Sequence, residues 1–319
     1  MSVRQEIATP AEADAALRAA IRQREREAFR NRWLLLAPAV GLIGCVGLLP
    51  LALTMIYSFL EPGTYGGVTW SFSTGAYEQF LFDRDLFDET ILTFNPSYVI
   101  IFARSIFLAL VATVGTLIVG YPTAYFIATR PRESRNLWLF LITLPFWTNL
   151  LIRTYAMLLI IRDEGLVNAL LMGVGVVNQP VGILYTDFAV FLGLIYSFLP
   201  FMVLPVYASL EKLDFRLVEA AYDLYATRWR VLRRVVIPAT RPGIIAGCIL
   251  VFIPGLGAYI TPELLGGGKK LMIGNMIALQ FGTARNWPFG SAAALILMAM
   301  VVLMLFVVMR RSGRQMSHG

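Results

Sequence analysis

The chain has 319 residues, 58% hydrophobic and only 15% charged, with a formal charge of +7. An ordinary soluble domain carries about 25% charged residues, so this composition excludes both a water-coated globule and a disordered chain and points to lipid as the solvent. The basic excess needs no nucleic acid, because basic residues also set membrane topology. A single histidine, His318, rules out His-based triads, proton relays and metal sites. Cys45 and Cys248 each sit inside an apolar run, where they are expected as buried small hydrophobes.

In chain order, residues 1–32 are polar and rich in Arg and Ala. Thr9-Pro10-Ala11-Glu12 has the form of a helix start, with Thr as cap, Pro first and Glu third. A charged helix over 11–32 is expected, as a retained cytoplasmic tail. Its polar lead and the apolar run after it are too long for a cleaved signal peptide.

Six apolar runs follow, at 33–60, 98–129, 137–161, 188–210, about 243–260 and 289–309. A membrane-spanning helix needs about 20 residues. Pro38, Pro50, Pro122, Pro145, Pro200 and Pro254 fall inside these runs, which predicts irregular helices, since neighbours in a membrane re-satisfy the freed backbone. Twenty of the 27 basic residues lie in 1–32, 130–136, 210–241 and 310–319, against five in the alternate loops. That bias places the first set in the cytoplasm. Both termini are then cytoplasmic, as an even number of spans requires. The expectation is an all-α membrane protein with six transmembrane helices: a tail at 1–32, a membrane domain at 33–311 and a second tail at 312–319.

The outer loops are acidic. Residues 61–97 carry Glu61, Glu78, Asp83, Asp85, Asp88 and Glu89; residues 162–187 carry Asp163, Glu164 and Asp187; residues 262–288 carry Glu263. Ten acids against five bases suit a cationic solute, but the positive-inside bias alone also leaves outer loops acidic. Asp163, Glu164, Asp187 and Glu263 are candidates for the outer mouth of a translocation path. On the third run Trp147, Asn149 and Tyr155 are path candidates, with core packing or an aromatic lipid belt as the other reading for the two aromatics. Arg104 and Arg153 lie within apolar runs near their outer ends. They either serve a function, for instance Arg153 pairing with an acid at the mouth, or snorkel to headgroups. Residues 271–281 are apolar but too short to span, so a re-entrant or surface helix is expected there.

No nucleotide site is present. Lys212, Lys269 and Lys270 are the only lysines, and Lys269 after Gly268 lacks the first Gly and the final Ser/Thr of a phosphate-cradling loop. The longest cytoplasmic loop, 211–241, is instead patterned. Leu217, Ala220, Ala221 and Leu224 recur on one helical face, with two small residues at its centre. Arg216 and Glu219 are spaced to pair. A second helical stretch, 229–236, sets Trp229, Leu232 and Val236 against Arg230, Arg233 and Arg234. Periodicity alone fits equally a docking element or an interfacial helix pair with its arginines on anionic lipid.

The segment Glu219-Ala220-Ala221-Tyr222-Asp223-Leu224-Tyr225 through Val235-Val236-Ile237-Pro238 resembles the EAA loop of binding-protein-dependent ABC importer permeases. The resemblance covers roughly 33–311. It sharpens toward the spermidine/putrescine-type permeases at Leu144-Pro145-Phe146-Trp147-Thr148-Asn149 with Leu151-Ile152-Arg153-Thr154-Tyr155, at Leu199-Pro200-Phe201-Met202, at Lys269-Lys270-Leu271-Met272-Ile273-Gly274-Asn275 and at Arg285-Asn286-Trp287-Pro288-Phe289-Gly290. The resemblance implies a type I importer permease fold in a bacterial inner membrane. It also implies a non-enzymatic subunit that translocates a polyamine or a related small cation. No cofactor sits in this chain, since ATP and Mg belong to the partner ATPase. The implied partners are a second permease, two ATPase subunits and a periplasmic or surface binding protein. Leu217, Glu219, Ala220, Ala221, Asp223, Leu224, Tyr225 and Pro238 would form the ATPase-coupling loop. One departure stands out: the motif's Gly is Tyr225 here, so Tyr must either continue the helix or adopt a strained turn, or else fill a partner groove. Two further readings remain at this point. One is a permease for another small solute (opine, amino-acid-like or metal-ion compound). The other is an ion-coupled secondary transporter, which internal repeats and midplane acids would mark.

Overall fold

The structure, a computed structural model, describes residues 10–84, 92–268 and 270–316. Thr9, Asp85, Asp88, Glu89, Lys269 and His318 from the sequence reading lie outside the described residues. The chain divides into two compact units, 1–56 and 57–319.

The first unit is built on helix α1 (Pro10–Tyr57), which starts at the proline where the sequence sets a first helical position. It runs 48 residues without a break, with Pro38 and Pro50 inside it. The boundary expected at 32/33 is therefore a change of composition within one helix. Its Leu35–Tyr57 segment is long and apolar enough to cross a membrane. Cys45 is exposed on this helix, where a buried position was expected; an apolar span turns such residues toward lipid as readily as toward a core.

The second unit opens with two antiparallel hairpins, β1 (Leu60–Pro62) with β2 (Val68–Phe72) and β3 (Phe82–Arg84) with β4 (Leu92–Phe94). A short helix, α2 (Gly75–Glu78), lies between them in sequence. These four strands are a departure from the all-α expectation. They lie in the aromatic and acidic stretch between α1 and α3, where Thr69, Trp70 and Phe72 supply β-favouring side chains.

The spans come next: α3 (Ser97–Ala128), α4 (Arg132–Thr143), α5 (Leu150–Ile161), α6 (Leu166–Gly173) and α7 (Asp187–Glu211). The helices of the loop after α7, α8 (Arg216–Asp223), α9 (Arg228–Val231) and α10 (Ile237–Ala239), lead into α11 (Arg241–Leu256). After α12 (Ile260–Gly266) and α13 (Ile273–Phe281), α14 (Trp287–Met316) closes the chain. Four helical segments are long and apolar enough to span, and two further pairs qualify only as bent units. One pair bends by 94° between Arg132–Trp147 and Leu150–Gly173; the other bends by 71° between Arg228–Ala239 and Arg241–Leu256.

The core is the packing of α7 against α3 and α11. Ala124, Ile127, Met202, Val203, Val206, Leu210 and Val251 fill it. At Gly243 the helices touch so closely that an added Cβ would sit 2.5 Å from the Pro205 carbonyl. Small residues at such crossings let helices in lipid gain dispersion contacts. Helix α13 takes the place of the predicted short element at 271–281. It is not a loose surface helix: Ile273 and Met276 pack in a cluster with Phe102, Phe289 and Ala293.

Candidate functional site

The loop after α7 is held to the membrane helices by three valines. Val218, Val231 and Val236 are buried in the cluster that also contains Tyr121, Ala124 and Leu210. The Asp214 carboxylate starts α8 by accepting the Arg216 N–H at 3.0 Å. Among the described residues Arg216 and Glu219 form no ion pair. The predicted apolar face of α8 is split. Leu217, Ala220 and Leu224 are exposed, as are Glu219 and Asp223, whereas Ala221 is half-buried against the inner cluster. The inward face is therefore Val218 and Ala221, three residues apart.

Tyr225 settles the question its sequence raised. It takes the left-handed conformation, φ 55°. The Ala226 N–H reaches the Ala221 carbonyl at 3.1 Å and the Tyr225 N–H reaches the Tyr222 carbonyl at 2.9 Å. This pair of bonds is the Schellman helix stop, normally built on glycine. Tyr225 is 94% exposed and neighbouring Leu224 is 83% exposed, an apolar tip left uncovered by the described residues.

The second stretch also differs from its predicted face. After α9, residues Leu232–Val236 form a π-type turn. Pro238 explains it: proline has no N–H for the carbonyl four residues back, at Arg234, and its ring crowds that position. The widened turn puts Val231 and Val236, five apart, on the buried side, while Trp229 is exposed. Tyr121 on α3 and Thr240 share a buried hydrogen bond at 3.1 Å, fixing the end of the loop. Beside the loop lies a cavity of about 1020 Å³ walled by Tyr121, Tyr125, Phe126, Tyr222, Arg228 and Trp229.

At the other candidate region, the third run breaks into α4, a tight turn at Leu144–Trp147, and α5. Thr148 is extended, and Asn149 caps α5 by accepting the Leu151 N–H at 2.8 Å. Asn149 is therefore fully explained by capping. Trp147 and Tyr155 are exposed. Arg153 is only 8% exposed. It was expected to pair with an acid or to snorkel, and it does neither. Its Nη1 donates to the Pro145 carbonyl at 3.2 Å and its guanidinium lies 5.8 Å from the Tyr196 ring centre. The same carbonyl also accepts from the Thr148 N–H at 3.3 Å and the Thr148 hydroxyl at 2.7 Å, so Arg153 shares it with the turn.

Of the outer acids, Asp187 is bound to Arg104 on α3 and lies 3.8 Å from the Lys270 amine. Arg104 also donates to the Leu271 carbonyl at 3.4 Å. Three outer segments thus meet at Asp187. Glu263 accepts from Asn275 at 2.7 Å, and Asn275 also donates to the Tyr259 carbonyl at 3.0 Å. Glu164 pairs with Arg162 at 2.8 Å, and Asp163 is exposed. The sequence reading missed Asn168 and Asn275. Buried Asn168 bonds the backbones of Arg162 and Val181 and so clamps the outer loop; a lone polar residue inside an apolar octad was the available signal. Among the described residues no group of His, Cys, Asp or Glu could hold a metal ion.

These features, a patterned loop keyed into a broken-helix membrane bundle, define a permease of the ABC importer type. The chain belongs to the family of binding-protein-dependent transport system inner membrane components, which residues 120–318 match. It is 46% identical over 218 residues to the spermidine/putrescine transport system permease protein PotB of Escherichia coli K12, covering 68% of this chain and 79% of that protein. PotB of Haemophilus influenzae is 45% identical over 217 residues, covering 68% and 76%. The inner membrane ABC transporter permease protein YdcU of Escherichia coli K12 is 32% identical over 234 residues, covering 68% and 73%. The fold is similar to a solved chain of a bacterial ABC transporter that imports the acidic polysaccharide alginate, with TM-score 0.63 and 16% identity over 91% of this chain and 99% of that one. The chain is a multi-pass membrane permease subunit.

Proposed function

We propose that this chain is one of two permease subunits of an ATP-driven importer that carries a polyamine such as spermidine or putrescine across a bacterial inner membrane. The 46% identity to a spermidine/putrescine permease over 79% of its length carries the substrate assignment. Each bent helix pair counts as one span in this reading, giving six. The basic loops, 1–32, 130–136, 210–241 and 310–319, face the cytoplasm with both termini. Residues 33–311 are the membrane domain, flanked by tails at 1–32 and 312–319.

In this proposal the chain does no chemistry of its own. Two ATPase subunits hold ATP and Mg and dock on Leu217, Glu219, Ala220, Leu224 and Tyr225, while Ala221, Pro238 and the buried valines pass their movement to α3, α7 and α11. A binding protein delivers solute outside, where Trp147, Tyr155, Asp163, Glu164, Asp187 and Glu263 lie at or near the mouth. Asn149 and Arg153 shape the wall. Cation–π contact on the exposed aromatics suits a long cation with apolar methylenes.

The test is uptake of labelled spermidine into vesicles holding the assembled transporter and its binding protein. Accumulation should require ATP inside and be competed by putrescine. Accumulation that continues without ATP or the ATPase overturns the importer reading; ATP-driven transport of another solute with none of spermidine overturns the substrate.

A further inference from the structure

Arg153 is a permanent cation buried where, among the described residues, no anion balances it. A guanidinium carries its charge under all ordinary conditions. Moving it out of water without an anion is among the costliest steps a fold can take. Yet among the described residues no carboxylate pairs with it. One neutral carbonyl, that of Pro145, and one ring face, that of Tyr196, are all it meets, and its Nε is buried with no hydrogen-bond partner.

The same guanidinium lines a cavity of about 520 Å³. Phe146, Thr148, Ser197, Tyr259 and Thr261 stand in its wall, a mostly apolar enclosure with a few hydroxyls. Leu150, the first residue of α5, is also in the wall. The positive end of a 12-residue helix therefore adds to the field of Arg153. Three nearby candidate acids are engaged elsewhere, Asp187 with Arg104, Glu164 with Arg162 and Glu263 with Asn275, and Asp163 is exposed.

We propose that Arg153 and this cavity form a carboxylate-binding site, filled by a carboxylate that comes from outside this chain. A planar guanidinium matches a carboxylate through parallel N–H···O bonds, and Ser197 and Thr261 in the same wall carry hydroxyls able to donate to it. A polyamine is excluded from the site by like charge. Two sources share this chemistry: an Asp or Glu side chain of the second permease subunit, or the carboxylate of a small solute. The first source rests on the two-permease reading above. The site itself rests only on the geometry around Arg153.

The sample is the assembled transporter, with wild-type ATP-driven uptake measured first so that failure of the importer reading is recognised separately. Thermal unfolding is followed by tryptophan fluorescence while sodium propionate is titrated against sodium chloride at matched ionic strength, with Arg153→Gln and Arg153→Lys in parallel. A free carboxylate source predicts a propionate-specific rise of about 3 °C or more in the wild type, lost in Arg153→Gln. A side-chain source predicts no propionate shift, several-fold loss of the paired permease on co-purification with Arg153→Gln, and retention with Arg153→Lys. No shift together with undiminished pairing in Arg153→Gln overturns the proposal. If Arg153→Gln does not accumulate, selection in the second permease decides. Restoration by an Asp→Asn or Glu→Gln change there supports the side-chain source. No such restoration, with no propionate shift in the wild type, overturns the site.

Discussion

A tyrosine in the left-handed region is disfavoured by about 1 kcal/mol relative to glycine, because its Cβ crowds the next carbonyl. Tyr225 bears that strain at the Schellman stop of α8 while it stays almost fully exposed among the described residues. Strain held without a local return points to a use outside the subunit. Tyr225→Gly should therefore raise the thermal midpoint of the purified permease by about 2 °C. The same change should weaken retention of the ATPase on co-purification. A variant that is both less stable and fully retentive would remove Tyr225 from the docking tip. This residue was legible in advance, because a non-glycine at a turn position states its own conflict. Arg153 was not. Its place near the end of an apolar run says nothing of its partner, the Pro145 carbonyl, which the turn at Pro145–Asn149 presents to Arg153 as well as to Thr148.

Two elements seat the loop after α7 against the membrane helices: the short helix α8, through Val218, and the π-type turn after α9, through Val236. Helical periodicity put Trp229 and Val236 on one side, and Leu217 and Ala221 on another. The widened turn and the inward tilt of Ala221 rearranged both faces. A pattern of 3.6 residues per turn misreads any segment whose hydrogen bonds are redirected by proline, and Pro238 is such a case. The buried valines give a test of the loop as a transmission element. Val236→Ala removes packing beneath the loop and should cost about 2 kcal/mol of stability. Spermidine uptake should fall more than ATPase retention does, because the outward residues Leu217, Leu224 and Tyr225 are untouched. Equal loss of both would mean that Val236 shapes the docking surface itself. At the outer side, Asn149→Ala removes the cap of α5 at a cost of about 1 kcal/mol. A drop in the melting midpoint with unchanged solute selectivity fits a capping residue, whereas altered competition between spermidine and putrescine would return Asn149 to the path.

At the scale of the whole molecule, composition and charge pattern were the most informative features, since six runs and the basic loops follow from the solvent the chain must meet. The 94° bend inside the third run and the 71° bend just before the fifth are invisible to hydropathy, which averages over Pro145 and stops short of Thr240. The orientation can be tested without regard to such bends. In a Cys45→Ser, Cys248→Ser background, Asp163→Cys should react with a membrane-impermeant maleimide in intact cells whose outer membrane is permeabilised. Lys212→Cys, exposed just after α7, should react only once the inner membrane is opened. Asp163 lies between α5 and α6 and Lys212 just after α7, so the unbroken span α7 separates them and their labelling must differ if α7 crosses. Labelling of both from outside would mean that α7 does not cross. The reversed pattern would place the loop at 211–241 on the side where no ATP is available, and the coupling role of that loop would fall with it.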